Sequence, residues 1–241
     1  MNAITMTNLT KKYGDFLAVD DLNLTIGQGE LFALLGVNGA GKTTTIKMLS
    51  CLIKPTGGDA VLLGNSINTQ PQAVKKLINI SPQETAVAAN LSVSENLELT
   101  AGLYGQNKKS ARQRAEEVIN QFGLEGMQKK KAKHFSSGMQ RRLSLAMALI
   151  TDPQILFLDE PTLGLDVLAR RELWASIRAL KGKVTIILTT HYLEEIEALS
   201  DRVGVMSKGK LTAIGTVAEL REQTGTSKLE DAFVILAGGR V

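Results

Sequence analysis

A glycine-rich segment that joins an apolar run to an amphipathic stretch constrains the fold of this chain more than any other feature. The apolar run Leu31 to Leu35 is followed by GVNGAGKTT at positions 36 to 44, and helical periodicity begins directly after it. A strand, a tight loop and a helix in this order bind phosphate, because N–H groups of the loop and the positive end of the helix face the anion. Lys42 would supply a cation to the outer phosphates, and the Thr43 hydroxyl would be a ligand for Mg²⁺. We therefore expect an α/β protein that binds a nucleotide together with Mg²⁺.

The residues expected to contact the phosphates all belong to this loop. Its glycines allow the backbone to curl tightly enough that successive N–H groups point inward. The loop residues predicted to bind the nucleotide are Gly36, Asn38, Gly39, Ala40, Gly41, Lys42, Thr43 and Thr44.

Length and composition are those of a soluble globular protein. The 241 residues, 44% of them hydrophobic, allow one large domain or a core with a subdomain. No apolar run approaches the roughly 18 to 20 residues of a membrane-spanning helix, and the first residues lack the pattern of a signal peptide, so we expect a cytoplasmic protein. The formal charge of +4 does not indicate nucleic acid as a partner. The single cysteine excludes an internal disulfide and a cysteine-based metal site.

Apolar runs and helical periodicity predict one domain over residues 1–241. Short strand-like runs separated by helical segments indicate a largely parallel central sheet. These runs lie at 31–35, 77–80, 155–158, 184–188 and 203–206. Residues 1–30 alternate polar and apolar positions, as antiparallel strands do. We expect residues 1–84 and 151–241 to form the core, and residues 85–150 to form an inserted helical subdomain.

Helical periodicity fills the predicted insertion, which has almost no strand signal. Ser94 to Tyr104, Ser110 to Phe122 and Leu143 to Ile150 have the spacing of helices. Ser110 followed by Gln113 predicts a capping box at the start of the second helix.

Two adjacent carboxylates follow a buried strand. Ile155 to Leu158 are apolar, and Asp159 and Glu160 come directly after them. Ligands bind at the carboxyl ends of the strands of α/β sheets, so this pair should lie near the phosphate-binding loop. Asp159 would hold Mg²⁺, directly or through water, and Glu160 would face the water that attacks the γ-phosphate.

Further motifs, in the same order, resemble those of the ATP-binding cassette (ABC) family over nearly the whole chain. They are FSSGMQRR at 135–142, LFLDEPTLGLD at 156–166 and TTH at 189–191. The resemblance implies a P-loop NTPase core with a largely parallel central sheet, an N-terminal antiparallel β subdomain and an inserted helical subdomain. It also implies that the chain binds and hydrolyses ATP with Mg²⁺.

Residues 135–139 resemble the signature of that family, LSGGQ, which opens a helix and faces the ATP held by a second copy of the protein. On this resemblance, Ser136 would donate a hydroxyl hydrogen bond and Gly138 would permit a close approach of the backbone. The departures from the motif are Phe135, Ser137 and Met139.

Four other positions match family residues one by one. Tyr13 matches an aromatic residue that stacks on adenine, and Gln83 matches a glutamine that reaches Mg²⁺ or the attacking water. Asp166 matches a residue that links the two subunits, and alone it would be read as a helix cap. His191 matches a histidine that hydrogen-bonds the γ-phosphate. The implied catalytic residues are Lys42, Gln83, Glu160 and His191, and the implied metal ligands are Thr43, Gln83 and Asp159.

The resemblance also implies partners. Each copy would hold an incomplete site, so two copies, most economically a homodimer, would close head to tail on two ATP molecules. The signature and the tail, in which Leu229, Phe233 and Leu236 space an apolar helical face, resemble the export branch of the family, whose permeases are separate subunits. We expect the motor subunit of an exporter, docked on integral membrane permease subunits at the cytoplasmic face of the cell membrane.

Two other classes of protein stay open at this stage. A non-transport ABC ATPase, for example one that acts in cluster assembly, would also be a single soluble cassette, and only the signature and the tail favour transport. A P-loop GTPase or a small-molecule kinase is disfavoured, because the sequence has no N-K-x-D string and the signature and His191 would have no role.

Overall fold

Two β-sheets organise the fold in the computed structural model, which describes residues 1–239. Residues 240 and 241, which end the predicted core range, lie outside the described residues. The strands are β1 (Asn2–Tyr13), β2 (Phe16–Gly27), β3 (Leu31–Leu35), β4 (Gly57–Leu62), β5 (Asn65–Ser66), β6 (Ile78–Ser81), β7 (Ile155–Asp159), β8 (Thr185–Thr190), β9 (Arg202–Ser207) and β10 (Lys210–Gly215). The helices are α1 (Lys42–Leu49), α2 (Pro71–Leu77), α3 (Val93–Leu103), α4 (Lys108–Gln121), α5 (Ser137–Leu149), α6 (Val167–Arg178), α7 (Leu193–Leu199), α8 (Val217–Thr224) and α9 (Leu229–Leu236), with a 3₁₀ turn at Ala132–His134.

The larger sheet is the predicted central sheet. Within residues 1–239 it has six strands in the order β10-β9-β3-β8-β7-β6. Strands β9, β3, β8, β7 and β6 are parallel, and β10 pairs antiparallel with β9 at one edge. Every residue of β3, β7 and β8 is buried, as expected of parallel strands that are covered on both faces. The predicted α/β fold with a largely parallel central sheet is confirmed.

The smaller sheet is antiparallel and contains the start of the described chain. Its strand order in residues 1–239 is β2-β1-β4-β5. Strands β1 and β2 are joined by a tight turn in which Gly14 has a φ of +55°, a conformation that glycine adopts without steric cost. The predicted N-terminal antiparallel β subdomain is therefore confirmed.

Helices α3, α4 and α5 follow one another between β6 and β7, and we call residues 93–149 the helical segment. Its apolar side chains share one core with the central sheet, since Leu145 of α5 belongs to the same buried cluster as Leu156 of β7 and Leu188 of β8. The predicted division of the chain at residues 84 and 150 stays a prediction. In the part of the chain that the structure describes, no helix has the length and apolar character needed to cross a bilayer.

Helix α4 begins before the predicted position. The Asn107 side chain accepts a hydrogen bond from the backbone N–H of Ser110 at 3.0 Å and is therefore the N-cap. The predicted capping box of Ser110 with Gln113 is wrong, because both residues lie inside the helix.

Candidate nucleotide-binding site

The carboxyl ends of three neighbouring parallel strands meet at one edge of the central sheet. Strand β8 lies between β3 and β7 and pairs with both. The glycine-rich loop (residues 36–41) follows β3, Glu160 follows β7 and His191 follows β8. The strand order thus brings together groups that are far apart in sequence, at the edge where α/β sheets bind ligands.

A cavity of about 260 Å³ opens at this edge, and we call it the loop cavity. It brings together most of the residues predicted to contact the nucleotide. The predicted residues in its lining are Asn38, Gly39, Ala40, Gly41, Lys42, Thr43, Thr44, Gln83, Glu160 and His191. Phe16, Ala18 and Leu163 also line it.

Helix α1 begins at the loop cavity. Its N-cap, Gly41, has a φ of +104°, and a Cβ atom at this position would lie 2.5 Å from the Ala18 carbonyl oxygen. Both the backbone conformation and the close approach of β2 therefore require glycine. Within residues 1–239 no side chain caps α1, so the N–H groups of its first turn are available to an anion.

Lys42 is buried between the loop and Glu160. Its Nζ donates a hydrogen bond to the Gly36 carbonyl oxygen at 2.7 Å and lies 3.5 Å from Glu160 Oε1. Lys42 is 5% exposed and Glu160 is 7% exposed, so each charge depends on the other for compensation. This pairing keeps an ammonium group at the wall of the loop cavity.

Asp159 is held by two threonine hydroxyls. Thr43 Oγ1 donates to Asp159 Oδ1 at 3.1 Å, and Thr189 Oγ1 donates to the same oxygen at 2.6 Å. Oxygen ligands of this kind, together with the Gln83 side chain in the cavity lining, suit Mg²⁺. In the described part of the chain, no group of three or more His, Cys, Asp or Glu side chains could hold a metal ion.

Glu160 leaves β7 in a left-handed backbone conformation, with a φ of +50°. This conformation is uncommon for a residue with a side chain and stores strain. The Glu160 N–H donates to the carbonyl oxygen and to the hydroxyl of Thr189, both at 3.1 Å, and these bonds hold the turn. His191 Nδ1 lies 2.6 Å from Glu160 Oε2, but within residues 1–239 this oxygen has no aligned hydrogen-bond donor. His191 therefore lies directly beside the Glu160 carboxylate at the wall of the loop cavity.

Behind this edge of the sheet, α7 contributes a fully buried carboxyl group. Burial raises the pKa of Glu195, while hydrogen bonds from neighbouring side chains, including Trp174, oppose the rise. Trp174 Nε1 of α6 donates to Glu195 Oε1 at 3.1 Å. Glu195 therefore ties α6 to α7 beside the residues that follow β8.

The two aromatic residues of the β1–β2 turn differ in their place relative to the loop cavity, and the stacking of Tyr13 on adenine stays a prediction. Among residues 1–239, Tyr13 is not in the lining of the loop cavity, and Lys11 Nζ lies 5.0 Å from the centre of its ring. Phe16, which pairs with Tyr13 across the hairpin, lines the cavity instead and is 64% exposed. Sequence reasoning missed Phe16, although its place across the turn from Tyr13 was a usable signal.

Ser136, Gly138 and Asp166 lie outside the lining of the loop cavity in the described structure, and we call these three residues the signature surface. Ser136 caps α5 by accepting a hydrogen bond from Met139 N at 3.3 Å, and Asp166 caps α6 by accepting one from Ala169 N at 2.9 Å. A Cβ atom on Gly138 would lie 2.7 Å from Ala169 Cβ. Glycine at this position therefore allows the N-termini of α5 and α6 to pack closely.

Known proteins are similar to this chain in sequence and in fold. A family model described as "ABC transporter" matches residues 19–163. The daunorubicin resistance ATP-binding protein DrrA3 of Streptomyces coeruleorubidus is 42% identical over 229 residues, which span 95% of this chain and 72% of that protein.

Two solved structures match most of the chain. The structure of an ATP-binding subunit of an ABC transporter has 30% sequence identity and a TM-score of 0.85, and the match covers 97% of this chain and 99% of that one. The dimeric structure of a post-hydrolysis state of an ATP-binding cassette, bound to ADP and Pi, has 25% identity and a TM-score of 0.78 over 88% of this chain and 98% of that one.

Proposed function

This chain belongs to the ABC transporter family, and from that premise we propose that it is the ATPase subunit of an exporter whose membrane-spanning permeases are separate chains. As a member of that family it binds and hydrolyses ATP. One observation carries the proposed arrangement. Lys42, Glu160 and His191 line the loop cavity, whereas the signature surface lies elsewhere on the same chain.

This separation supports a dimer in which each site is shared. If the signature surface of one copy faces the loop cavity of another, a two-fold axis generates two identical sites. The dimeric structure of an ATP-binding cassette bound to ADP and Pi supports a dimer of such chains. We infer that two copies of this chain close on ATP and separate after hydrolysis.

The chemistry follows from the side chains of the loop cavity. Lys42 and the N-terminus of α1 bind the phosphates. The Glu160 carboxylate accepts a proton from the attacking water, because it lies in the lining of the loop cavity beside Lys42 and His191. His191, beside Glu160, hydrogen-bonds the γ-phosphate and so aligns it with that water.

The residues around Asp159 fit Mg²⁺. Thr43 and Asp159, which are hydrogen-bonded to each other, and Gln83 would hold the ion together with phosphate oxygens. When bound, Mg²⁺ neutralises charge on the phosphates that leave and transfer. The hydrogen bond from Thr189 keeps the Asp159 carboxylate oriented toward Thr43.

Support for export comes from a relative and from the signature. The relative from Streptomyces coeruleorubidus is named for daunorubicin resistance, which is consistent with outward transport. The tail gives no such support, because Leu229 of α9 is buried on the core of its own chain and Phe233 and Leu236 pack against the same cluster. Separate permeases would place this chain on the cytoplasmic face of the membrane.

Co-purification tests the proposed assembly. We would tag the Glu160→Gln variant, trap it with ATP and Mg²⁺, extract membranes in mild detergent and identify the proteins that co-purify. A stoichiometric multi-span membrane protein is the expected result. Recovery of soluble partners alone would favour a non-transport ABC ATPase, such as a cluster-assembly component, and would contradict the transporter assembly.

Replacing Phe16 tests the aromatic wall of the loop cavity. Because Phe16 lines the loop cavity, its ring would pack on the adenine base of ATP. Such a contact contributes to binding rather than to chemistry, so Phe16→Ala is expected to raise the KM for ATP about fivefold and to change kcat less than about twofold. Steady-state ATPase kinetics of Phe16→Ala and Tyr13→Ala separate the two rings. An unchanged KM in Phe16→Ala, with a raised KM in Tyr13→Ala, would show that Tyr13 rather than Phe16 stacks on the adenine base.

A further inference from the structure

A buried arginine of α5 grips the backbone at Gln83. Arg141 Nη1 donates to the Pro82 carbonyl oxygen at 2.7 Å, and Arg141 Nη2 donates to the Gln83 carbonyl oxygen at 2.5 Å. The guanidinium group thus holds two consecutive carbonyls with its two terminal nitrogens, a geometry that an ammonium group does not reproduce. Gln83 itself lines the loop cavity.

The setting of Arg141 is energetically demanding. The residue is 5% exposed, and burial lowers the pKa of its guanidinium, while Asp159 and Glu195 oppose the shift from a distance. In the described residues no carboxylate lies within salt-bridge distance of it. The two carbonyl bonds are therefore its main direct compensation.

The Arg141 contact is one of several between α5 and residues 81–83. Ser144, one helical turn after Arg141, lies 3.2 Å from Ser81 through their hydroxyl oxygens. Arg141 is five residues after Ser136, the N-cap of the same helix. One helix therefore carries a residue of the signature surface at its start and fixes a residue of the loop cavity from its first turns.

We propose that Arg141 is a positioning residue that sets the place of Gln83 in the loop cavity and links it to the helix that bears Ser136. This inference rests on the proposed function, in which Gln83 would help to hold Mg²⁺ at the phosphates. A shift of α5 would be passed to the Pro82 and Gln83 carbonyls through two short hydrogen bonds and would move the Gln83 side chain relative to the phosphates. Arg141 touches neither nucleotide nor water in this role.

Four variants and one double variant test the role through ATPase kinetics. Arg141→Met removes both hydrogen bonds. Arg141→Lys keeps the positive charge but cannot donate to the two carbonyl oxygens from two separate nitrogens. We expect Arg141→Met to lower kcat about tenfold with a KM for ATP within about twofold, and Arg141→Lys to give an intermediate kcat. Arg141→Lys also provides a readout if Arg141→Met does not fold.

Arg114→Met is the matched control, because Arg114 also donates to a backbone carbonyl of α5, that of Leu149, but far from Gln83 in sequence and outside the lining of the loop cavity. It should leave kcat within about twofold of the parent. Gln83→Ala and the double variant Gln83→Ala/Arg141→Met complete a cycle. If Arg141 acts through Gln83, the kcat of the double variant equals that of Gln83→Ala alone.

The outcomes separate this inference from the proposed function. A reduced kcat in Gln83→Ala with a normal kcat in Arg141→Met overturns the positioning role and leaves the proposed role of Gln83 standing. Reductions that multiply in the double variant show that Arg141 acts independently of Gln83 and also overturn it. A normal kcat in Gln83→Ala removes Gln83 from the catalytic residues and this inference with it.

Discussion

Glu160→Gln is expected to bind ATP with nearly unchanged affinity and to hydrolyse it about a thousandfold more slowly. The amide keeps the size of the side chain but cannot accept the proton of the attacking water. Within residues 1–239, Glu160 is the only carboxylate in the lining of the loop cavity, so no second carboxylate of that lining can take the proton in its place. The variant should therefore accumulate as an ATP-bound dimer.

Single-turnover hydrolysis and light scattering with ATP and Mg²⁺ measure the two consequences separately. Glu194→Gln, an exposed carboxylate in the first turn of α7, is the matched control and should keep the parent kcat. Because Glu160→Gln hydrolyses ATP so slowly, its ATP-bound dimer persists during heating, and ATP should stabilise this variant against heat more than it stabilises the parent. Turnover at the parent rate would remove Glu160 from the chemical step.

Ser136→Arg is expected to abolish ATP-dependent dimerisation and to lower kcat more than about a hundredfold while ATP still binds the monomer. Ser136 lies outside the loop cavity of its own chain, so a large side chain there leaves that chain's phosphate contacts in place. It would meet the nucleotide held by the second copy. Equilibrium binding of a fluorescent ATP analogue and sedimentation in the presence of ATP distinguish the two effects.

The capping role of Ser136 requires its own controls. The hydroxyl accepts a hydrogen bond from Met139 N, and loss of such a cap costs about 1 kcal/mol of stability. Ser136→Thr keeps the cap and the hydroxyl and should dimerise with ATP. Ser136→Asp keeps the cap but brings a negative charge toward phosphate, and it should fail to dimerise although it folds. Dimer formation by Ser136→Arg with ATP would contradict the shared-site arrangement.

Much of the fold could be predicted from sequence because buried parallel strands are apolar throughout. The runs at 31–35 and 155–158 coincide with β3 and, within one residue, with β7. Strand β10 and the order of strands in the sheet escaped prediction, since alternating burial at an edge and pairing between distant segments leave no local pattern.

The start of α5 shows a second limit. The apolar spacing predicts a helix only from Leu143 onward, whereas the resemblance of residues 135–139 to the signature implies an earlier start, and the helix begins at Ser137. Its first turns are mostly polar, with Ser136 as the cap, so apolar periodicity could not mark them. The burial of Arg141 in the same region was not predicted either. A charged residue is normally expected to be exposed, and only the packing of the fold shows that this one is buried.

Within the candidate site, the motifs and the family resemblance predicted most of the residues that line the loop cavity, but not how each is held. The left-handed backbone of Glu160 and the pairing of Lys42 with Glu160 depend on contacts between β7, β8 and the loop. Phe16 enters the cavity because of the hairpin register, which polar and apolar alternation alone does not specify.

The core that the helical segment shares with the central sheet limits how far the segment is an interchangeable module. Leu145 packs in one cluster with Leu156 and Leu188, so exchanging residues 93–149 for those of a relative would replace only one side of a close-packed boundary. A chimaera built at the sequence boundaries alone would inherit mismatched volumes there, and those mismatches would act directly under the strands that present Glu160 and His191. Successful grafts would have to transfer the facing residues of β7 and β8 as well.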